Sequence, residues 1–125
     1  HVKPGKLNSI LEPWRKALAD GLSNLKGLVF ETGWVAAKGG SGVENDWQQI
    51  REIQESGELE GLPPMILAGG LTPSNVGGVV EMLRPYAVDV SSGVEETKGR
   101  KSLEKLNAFI RAVRCSDRKL RQAIF

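Results

Sequence analysis

The chain of 125 residues lacks several features that would assign it to a specialised class of protein. It has one cysteine, Cys115, which excludes an internal disulfide framework and is typical of a reducing cytoplasm. No apolar run approaches the roughly 20 residues that cross a bilayer, and no signal-peptide pattern is present. The net charge of +2 is too small to indicate a nucleic-acid partner. We therefore expect a cytoplasmic protein that contacts neither membrane nor nucleic acid.

Histidine is equally scarce, and no cluster of histidine, cysteine and carboxylate residues has the spacing of a metal site. His1 begins a segment, "HVKPG", that has the pattern of a strand end, and Cys115 follows the last predicted helix as a surface or packing thiol. We expect neither a metal nor a cofactor. Basic residues are concentrated near the C-terminus without interleaved aromatic residues, which favours a solvated helix face over a nucleic-acid site. They are Arg111, Arg114, Arg118, Lys119 and Arg121.

What the sequence does contain is a regular alternation of helix and strand patterns. Helices are predicted over about 9–22, 47–57, 73–83 and 103–114, and strands over 25–32, 63–70 and 86–93, after a strand end at 1–5. The predicted N-caps are Asp46, Thr72 and Ser102. Residues 115–125 form a basic tail that extends the last helix or frays. The alternation predicts parallel βαβ units, in either an open doubly wound sheet or part of a (βα)8 barrel.

Two of the predicted strands end in small residues. "MILAGG" ends at Gly69 and Gly70, and "AVDVSSG" ends at Ser92 and Gly93. Backbone N–H groups converge on a phosphate only where no side chain blocks the approach, and a helix that follows adds free N–H groups and its positive dipole end. Each end alone is more typical of a tight turn. Together they predict a phosphate-binding α/β domain, because many barrels hold phosphate between their last two strand ends.

Three segments carry a resemblance to a known family. "GGSGVENDW" at 39–47, "LAGGLTPSNV" at 67–76 and "RPYAVDVSSGVE" at 84–95 resemble, in order and spacing, the phosphoribosylanthranilate isomerases of tryptophan biosynthesis. The resemblance implies an α/β fold, the (βα)8 TIM barrel, of which residues 1–125 would be the C-terminal portion with about strands 5–8 and their helices. It also implies an Amadori rearrangement of N-(5-phosphoribosyl)anthranilate to 1-(2-carboxyphenylamino)-1-deoxyribulose 5-phosphate.

The resemblance implies roles for two groups of backbone positions. The phosphate cradle would consist of Gly69, Gly70, Ser92 and Gly93, acting chiefly through backbone N–H groups. A glycine-rich loop that closes over the substrate would contain Gly39, Gly40, Ser41 and Gly42. The expected ligand is therefore a phosphorylated small molecule.

The resemblance also implies roles for side chains. Glu31 stands where the family has an Asp that acts as general acid and protonates the furanose ring oxygen. Trp47, in the family's "DW" pair, is expected to pack in the core. Asp89, on a strand that otherwise has a buried pattern, is expected to be a structural carboxylate rather than a catalytic one.

Gly77 and Gly78 weaken the third helix, and we expect close packing against the sheet to explain them.

Part of the family's machinery has no counterpart in these 125 residues. The family's general base is a cysteine on the first strand, and an arginine on an early strand helps to hold the anthranilate group. We therefore expect the chain alone to be inactive, and to pair with the missing N-terminal half barrel or with itself through exposed strand edges. Two alternatives remain: another sugar-phosphate barrel enzyme of histidine or tryptophan biosynthesis, and a non-catalytic phosphate-ligand binding or half-barrel assembly module. The segment "GGSGVENDW" argues against the first.

Overall fold

The structure is a computed structural model and describes residues 7–22, 24–31 and 42–123. The helices are α1 (Leu7–Ala19), α2 (Gly42–Glu55), α3 (Val76–Leu83) and α4 (Leu103–Gln122). The strands are β1 (Leu28–Glu31), β2 (Met65–Ala68), β3 (Ala87–Val88), β4 (Glu95–Thr97) and β5 (Arg100–Lys101). A short 3₁₀ helix, Ser92–Val94, joins β3 to β4. The predicted alternation of helices and strands is confirmed, and the fold is α/β.

Strands β1, β2 and β3 form a parallel sheet in that order. Because side chains alternate along a strand, the register places Phe30, Leu67 and Val88 on one face, where they contact the core side chains of α2, α3 and α4. The buried side chains of this core are Trp47, Ile50, Met65, Leu67, Leu71, Val76, Val79, Val80, Leu83, Val94 and Phe109. A smaller cluster of Leu11 and Ile53 joins α1 to α2. The helices therefore lie on one side of the sheet.

The opposite face of the sheet, here called the open face, is exposed along β1. Val29 is 63% exposed, and Glu31 at the end of β1 is also exposed. An apolar strand residue such as Val29 is normally covered on a parallel sheet, because such sheets are packed on both faces. Val29 is thus an exception to that rule among the described residues.

Two predicted helix starts are wrong. Helix α2 begins at Gly42, so Asp46 lies inside it and is not the N-cap. Helix α3 begins at Val76 rather than at Pro73, and residues 73–75 form the turn that precedes it. Asn75 Oδ1 accepts a hydrogen bond from the Thr72 N–H at 2.8 Å, and Asn75 Nδ2 donates to the Gly70 carbonyl at 2.9 Å. The Val76 N–H still donates to the Thr72 carbonyl at 3.0 Å, as it would with Thr72 as the N-cap.

The predicted N-cap of α4 is confirmed, the tail is found to extend that helix, and the expectation for Gly77 and Gly78 is revised. The Ser102 hydroxyl accepts a hydrogen bond from the Lys105 N–H at 3.3 Å. Helix α4 continues through Gln122, so the basic residues after position 115 extend it. Gly77 packs against α4 rather than the sheet, since an added Cβ would lie 3.2 Å from Ser116 Oγ, and Gly78 has no atom within 4 Å of that position.

A polar cluster joins α3 to α4. Ser116 is 2% exposed, and its hydroxyl lies 3.1 Å from the Gly77 carbonyl oxygen and 3.0 Å from Glu81 Oε1. Lys119 Nζ lies 2.9 Å from the same carboxylate oxygen. The hydrogen bond from Lys119, followed by that from Ser116, lowers the pKa of Glu81. The ionised carboxylate is therefore favoured in the folded chain.

This lowered pKa predicts a pH dependence of stability. A carboxyl group whose pKa is lower in the folded state stabilises the fold above its ordinary pKa of 4.5, and that contribution is lost as the pH falls through the lowered value. We expect the urea midpoint to decline below pH 4.5 less steeply in Glu81→Gln than in the unaltered chain. Equilibrium unfolding at a series of pH values measures this, and parallel declines in the two proteins would contradict it.

Candidate functional site

The loops that follow β2 and β3 meet at the carboxyl end of the sheet. An added Cβ at Gly93 would lie 1.8 Å from the Leu71 carbonyl oxygen and 3.3 Å from the Thr72 Cα. Such an approach of one backbone to another requires a residue without a side chain. The two glycine-containing strand ends therefore lie against each other, with Gly93 at the contact.

Backbone N–H groups are available at this contact. The first hydrogen bond inside the 3₁₀ helix runs from the Val94 N–H to the Ser91 carbonyl and is 3.5 Å long. The N–H groups of Ser92 and Gly93 come before Val94 in the chain, so they have no partner within this helix. Within residues 7–22, 24–31 and 42–123, neither of these two groups nor the Gly70 N–H has an acceptor. Gly69 and Gly70 have φ values of 83° and 63°, which favour glycine. The site thus offers N–H donors without acceptors, two of them on glycines, and such donors suit an anion.

The helix that follows β2 contributes less than the sequence predicted. Helix α3 begins six residues after Gly70, and the Thr72 N–H is bonded to Asn75 rather than to an outside group. The N–H groups at the contact belong instead to the 3₁₀ helix after β3, of which Gly93 is the second residue.

Glu31, Ala68 and Asp89 form a row across the carboxyl end of the sheet. Glu31 pairs with Ala68 in the register, and the Asp89 N–H donates to the Leu67 carbonyl at 2.8 Å, which continues the pairing of β2 with β3. Adjacent strands are about 4.8 Å apart, so the backbones of Glu31 and Asp89 are roughly 10 Å apart. Both residues are exposed, and the alternation of side chains places both on the open face.

Asp89 was expected to be a structural carboxylate rather than a catalytic one, and that expectation stays a prediction. That expectation assumed a strand buried on both faces, whereas the open face leaves Asp89 exposed. Trp47 is 4% exposed within the main core, so its prediction as a packing residue is confirmed. Cys115 is exposed on α4, as a surface thiol.

The remaining predicted positions are placed as follows. Gly42 is the first residue of α2, whereas Gly39, Gly40, Ser41 and His1 lie outside the described residues. In the part of the chain that the structure describes, no three histidine, cysteine or acidic side chains are grouped as metal ligands. No helix among those residues has the length and apolar character needed to cross a membrane.

Two residues beside the site were missed by sequence reasoning. Asn75 bridges Gly70 and Thr72, and Lys101 Nζ lies 2.9 Å from the Ser91 carbonyl oxygen at the start of the 3₁₀ helix. A preference of Asn for turns gives a weak signal for Asn75. No sequence signal identifies Lys101, because its contact depends on the hairpin formed by β4 and β5.

Comparison with known proteins identifies relatives of this chain. A family model described as N-(5'phosphoribosyl)anthranilate (PRA) isomerase matches residues 15–112. The N-(5'-phosphoribosyl)anthranilate isomerase of Ralstonia nicotianae is 38% identical over 118 residues, which cover 84% of this chain and 51% of the relative. That of Moorella thermoacetica is 50% identical over 82 residues, which cover 65% of this chain and 34% of the relative. The chain spans about half the length of the Ralstonia relative.

Solved structures give the same assignment. The phosphoribosyl anthranilate isomerase of Thermotoga maritima has a TM-score of 0.60 and 29% identity, with 91% of this chain and 48% of that chain covered. The enzyme of Thermococcus kodakaraensis has a TM-score of 0.55 and 28% identity, with 90% of this chain and 59% of that chain covered. The likeness therefore extends over nearly all of this chain and about half of the structures that it matches.

Proposed function

The chain belongs to the phosphoribosylanthranilate isomerase family, and we propose that it forms the phosphate-binding part of an isomerase of tryptophan biosynthesis. The reaction is the Amadori rearrangement of N-(5-phosphoribosyl)anthranilate to 1-(2-carboxyphenylamino)-1-deoxyribulose 5-phosphate. The observation that carries this proposal is the close approach of the two loops at Gly93, beside backbone N–H groups that have no acceptor among the described residues. A sugar phosphate is the class of ligand that such a site suits.

In this proposal β1, β2 and β3 are the sixth, seventh and eighth strands of a (βα)8 barrel. Residues 1–125 then form the C-terminal portion of one barrel domain, with a basic tail at 115–125. Two observations support this placement: helices cover only one face of the parallel sheet, and Val29 on the open face is 63% exposed. In a complete barrel that face is filled by side chains from all eight strands. The missing strands would complete the cytoplasmic enzyme.

The phosphate dianion is held in a cradle formed by Gly69, Gly70, Ser92 and Gly93. Its donors are chiefly backbone N–H groups, which carry a fixed partial charge and need no reorganisation when the ligand binds. The glycine-rich loop with Gly39, Gly40, Ser41 and Gly42 closes over the sugar and excludes water from the reacting atoms.

Glu31 acts as the general acid. As the C1–O bond of the furanose breaks, the anilino nitrogen lone pair forms a C=N bond and the Glu31 carboxyl group protonates the ring oxygen. A base then removes the proton from C2, and the resulting enamine tautomerises to the ketone. Glu31 lies at the same end of the sheet as the cradle, on the open face, which supports this role. The base belongs to the strands that complete the barrel.

Reconstitution tests the proposed function. The chain alone is expected to show no turnover of N-(5-phosphoribosyl)anthranilate, and turnover is expected after addition of the part of the Ralstonia nicotianae relative that the chain does not cover. Product formation is followed by chromatography. A reconstituted protein that binds phosphate but shows no turnover would contradict the isomerase assignment and favour a non-catalytic phosphate-binding module. Turnover by the chain alone would contradict the need for a second part.

A further inference from the structure

A β hairpin lies directly behind the proposed phosphate cradle. Strands β4 and β5 are antiparallel, with Glu95 paired to Lys101, and they follow the 3₁₀ helix without an intervening loop. The Ser102 N–H donates to the Val94 carbonyl at 2.8 Å, which ties the end of the hairpin to the end of the 3₁₀ helix. The hairpin therefore cannot move without moving the 3₁₀ helix.

Lys101 links this hairpin to the first turn of the cradle. Its Nζ lies 2.9 Å from the Ser91 carbonyl oxygen, 3.5 Å from Ser91 Oγ and 3.0 Å from Glu95 Oε1. Glu95 is held from its other side, because its Oε2 accepts a hydrogen bond from the Gly99 N–H at 3.2 Å. We call Ser91, Glu95 and Lys101 the clasp.

The electrostatics of the clasp favour its closed form. The Glu95 side chain is 16% exposed and that of Lys101 is 44% exposed, so the ion pair is partly withdrawn from water. The hydrogen bond from Lys101 lowers the pKa of Glu95, and the bond from the Gly99 backbone adds to this effect. Lys105 Nζ donates to the Glu95 carbonyl at 2.6 Å and holds the backbone of the same residue. Glu95 is thus fixed through both its side chain and its backbone.

The geometry of the peptide bond connects the clasp to the cradle. The Ser91 carbonyl and the Ser92 N–H belong to one planar, trans peptide unit, so they point in opposite directions. An ammonium group that holds the Ser91 oxygen on one side therefore directs the Ser92 N–H to the other side. The internal bond to the same oxygen, from the Val94 N–H, is 3.5 Å long, so Lys101 provides the closer contact.

We propose that Lys101 is a positioning residue for the phosphate cradle: through the clasp, it fixes the direction of the Ser92 N–H and thereby sets the affinity for the phosphate of the ligand. This inference rests on the phosphate site of the proposed function. In this proposal Lys101 acts through the backbone, since its ammonium group is bonded to Ser91 and Glu95. It also polarises the Ser91–Ser92 peptide unit, which strengthens the N–H as a donor.

The test is a calorimetric titration of the chain with glycerol 3-phosphate. We expect Lys101→Met to weaken binding by about tenfold, as the loss of a charge-assisted hydrogen bond would. Lys101→Arg retains a charged donor and is expected to recover part of the affinity. Glu95→Gln disturbs the clasp from its other side and is expected to weaken binding in the same direction. The urea midpoint of each variant shows that it is folded.

The matched control is Lys98→Met. Lys98 is an exposed lysine in the turn of the same hairpin, so its loss changes the net charge by the same amount and leaves the clasp intact. We expect its affinity to stay within about twofold of the unaltered chain, since salt screens charges on exposed side chains. Equal losses in Lys98→Met and Lys101→Met, both abolished by salt, would overturn the positioning role in favour of general attraction.

The outcomes separate this inference from the proposal that it rests on. If the unaltered chain binds glycerol 3-phosphate and Lys101→Met binds it equally well, Lys101 is not a positioning residue, and the proposed phosphate site is retained. If the unaltered chain does not bind glycerol 3-phosphate, both the proposed phosphate site and the positioning role of Lys101 are contradicted. Weaker binding in Lys101→Met with partial recovery in Lys101→Arg supports both.

Discussion

Gly93→Ala is expected to abolish measurable phosphate binding by the chain. The alanine methyl group would lie 1.8 Å from the Leu71 carbonyl oxygen, and a backbone atom cannot rotate away as the end of a side chain can. The loops after β2 and β3 must therefore move apart, which separates the donors of Gly70 from those of Ser92. Overpacking of this kind also destabilises the fold, by about 1–3 kcal/mol. Titration with glycerol 3-phosphate and urea unfolding measure the two effects.

Gly78→Ala is the control for this substitution. It adds the same methyl group to a helical glycine that has no atom within 4 Å of the new position. We expect unchanged phosphate affinity and a free energy of unfolding higher by about 1 kcal/mol, because alanine favours the helix. Undiminished affinity in a folded Gly93→Ala protein would show that the contact between the two loops does not form the cradle.

Glu31→Gln is expected to lower kcat of the reconstituted isomerase by about 100-fold or more, with little change in phosphate affinity. The amide keeps the size of the side chain but cannot donate the proton that the ring oxygen needs, and general acids contribute on the order of 10²–10⁴-fold. Glu31→Asp is expected to retain part of the activity, because it keeps a carboxyl group that is one methylene shorter. Steady-state kinetics of the three proteins measure this effect.

Asp89→Asn is the comparison that assigns the acid. Asp89 shares the open face and the row with Glu31, so it is the other carboxylate that the structure offers at this end of the sheet. We expect a smaller loss of kcat for Asp89→Asn than for Glu31→Gln. The reverse order would transfer the general-acid role to Asp89.

The sequence was sufficient to predict the parallel strands and the proximity of their glycine-containing ends. Both predictions depend on local signals: alternating helix and strand patterns give βαβ units, and carboxyl ends of neighbouring parallel strands share one edge. The packing of Trp47 and the N-cap at Ser102 were also correct, because each reflects a preference within one element.

The errors arose at helix starts and where long-range packing decides exposure. Residues 73–75 form a turn, so α3 begins at Val76 rather than at Pro73. Asp89 follows an apolar strand segment, and its exposure depends on whether other strands cover the open face, which no local pattern reveals. The clasp at Lys101 joins residues ten apart through an unpredicted hairpin.

The most direct test of the account is residue-resolved NMR of the backbone N–H groups during titration with glycerol 3-phosphate. The account predicts that the resonances of Gly70, Ser92 and Gly93 shift together with one dissociation constant, while that of Gly78 in α3 does not. These residues belong to two loops that are far apart in sequence, so a joint shift requires one ligand between them. Shifts confined to one loop, or located elsewhere in the chain, would contradict the proposal that the two strand ends hold one phosphate.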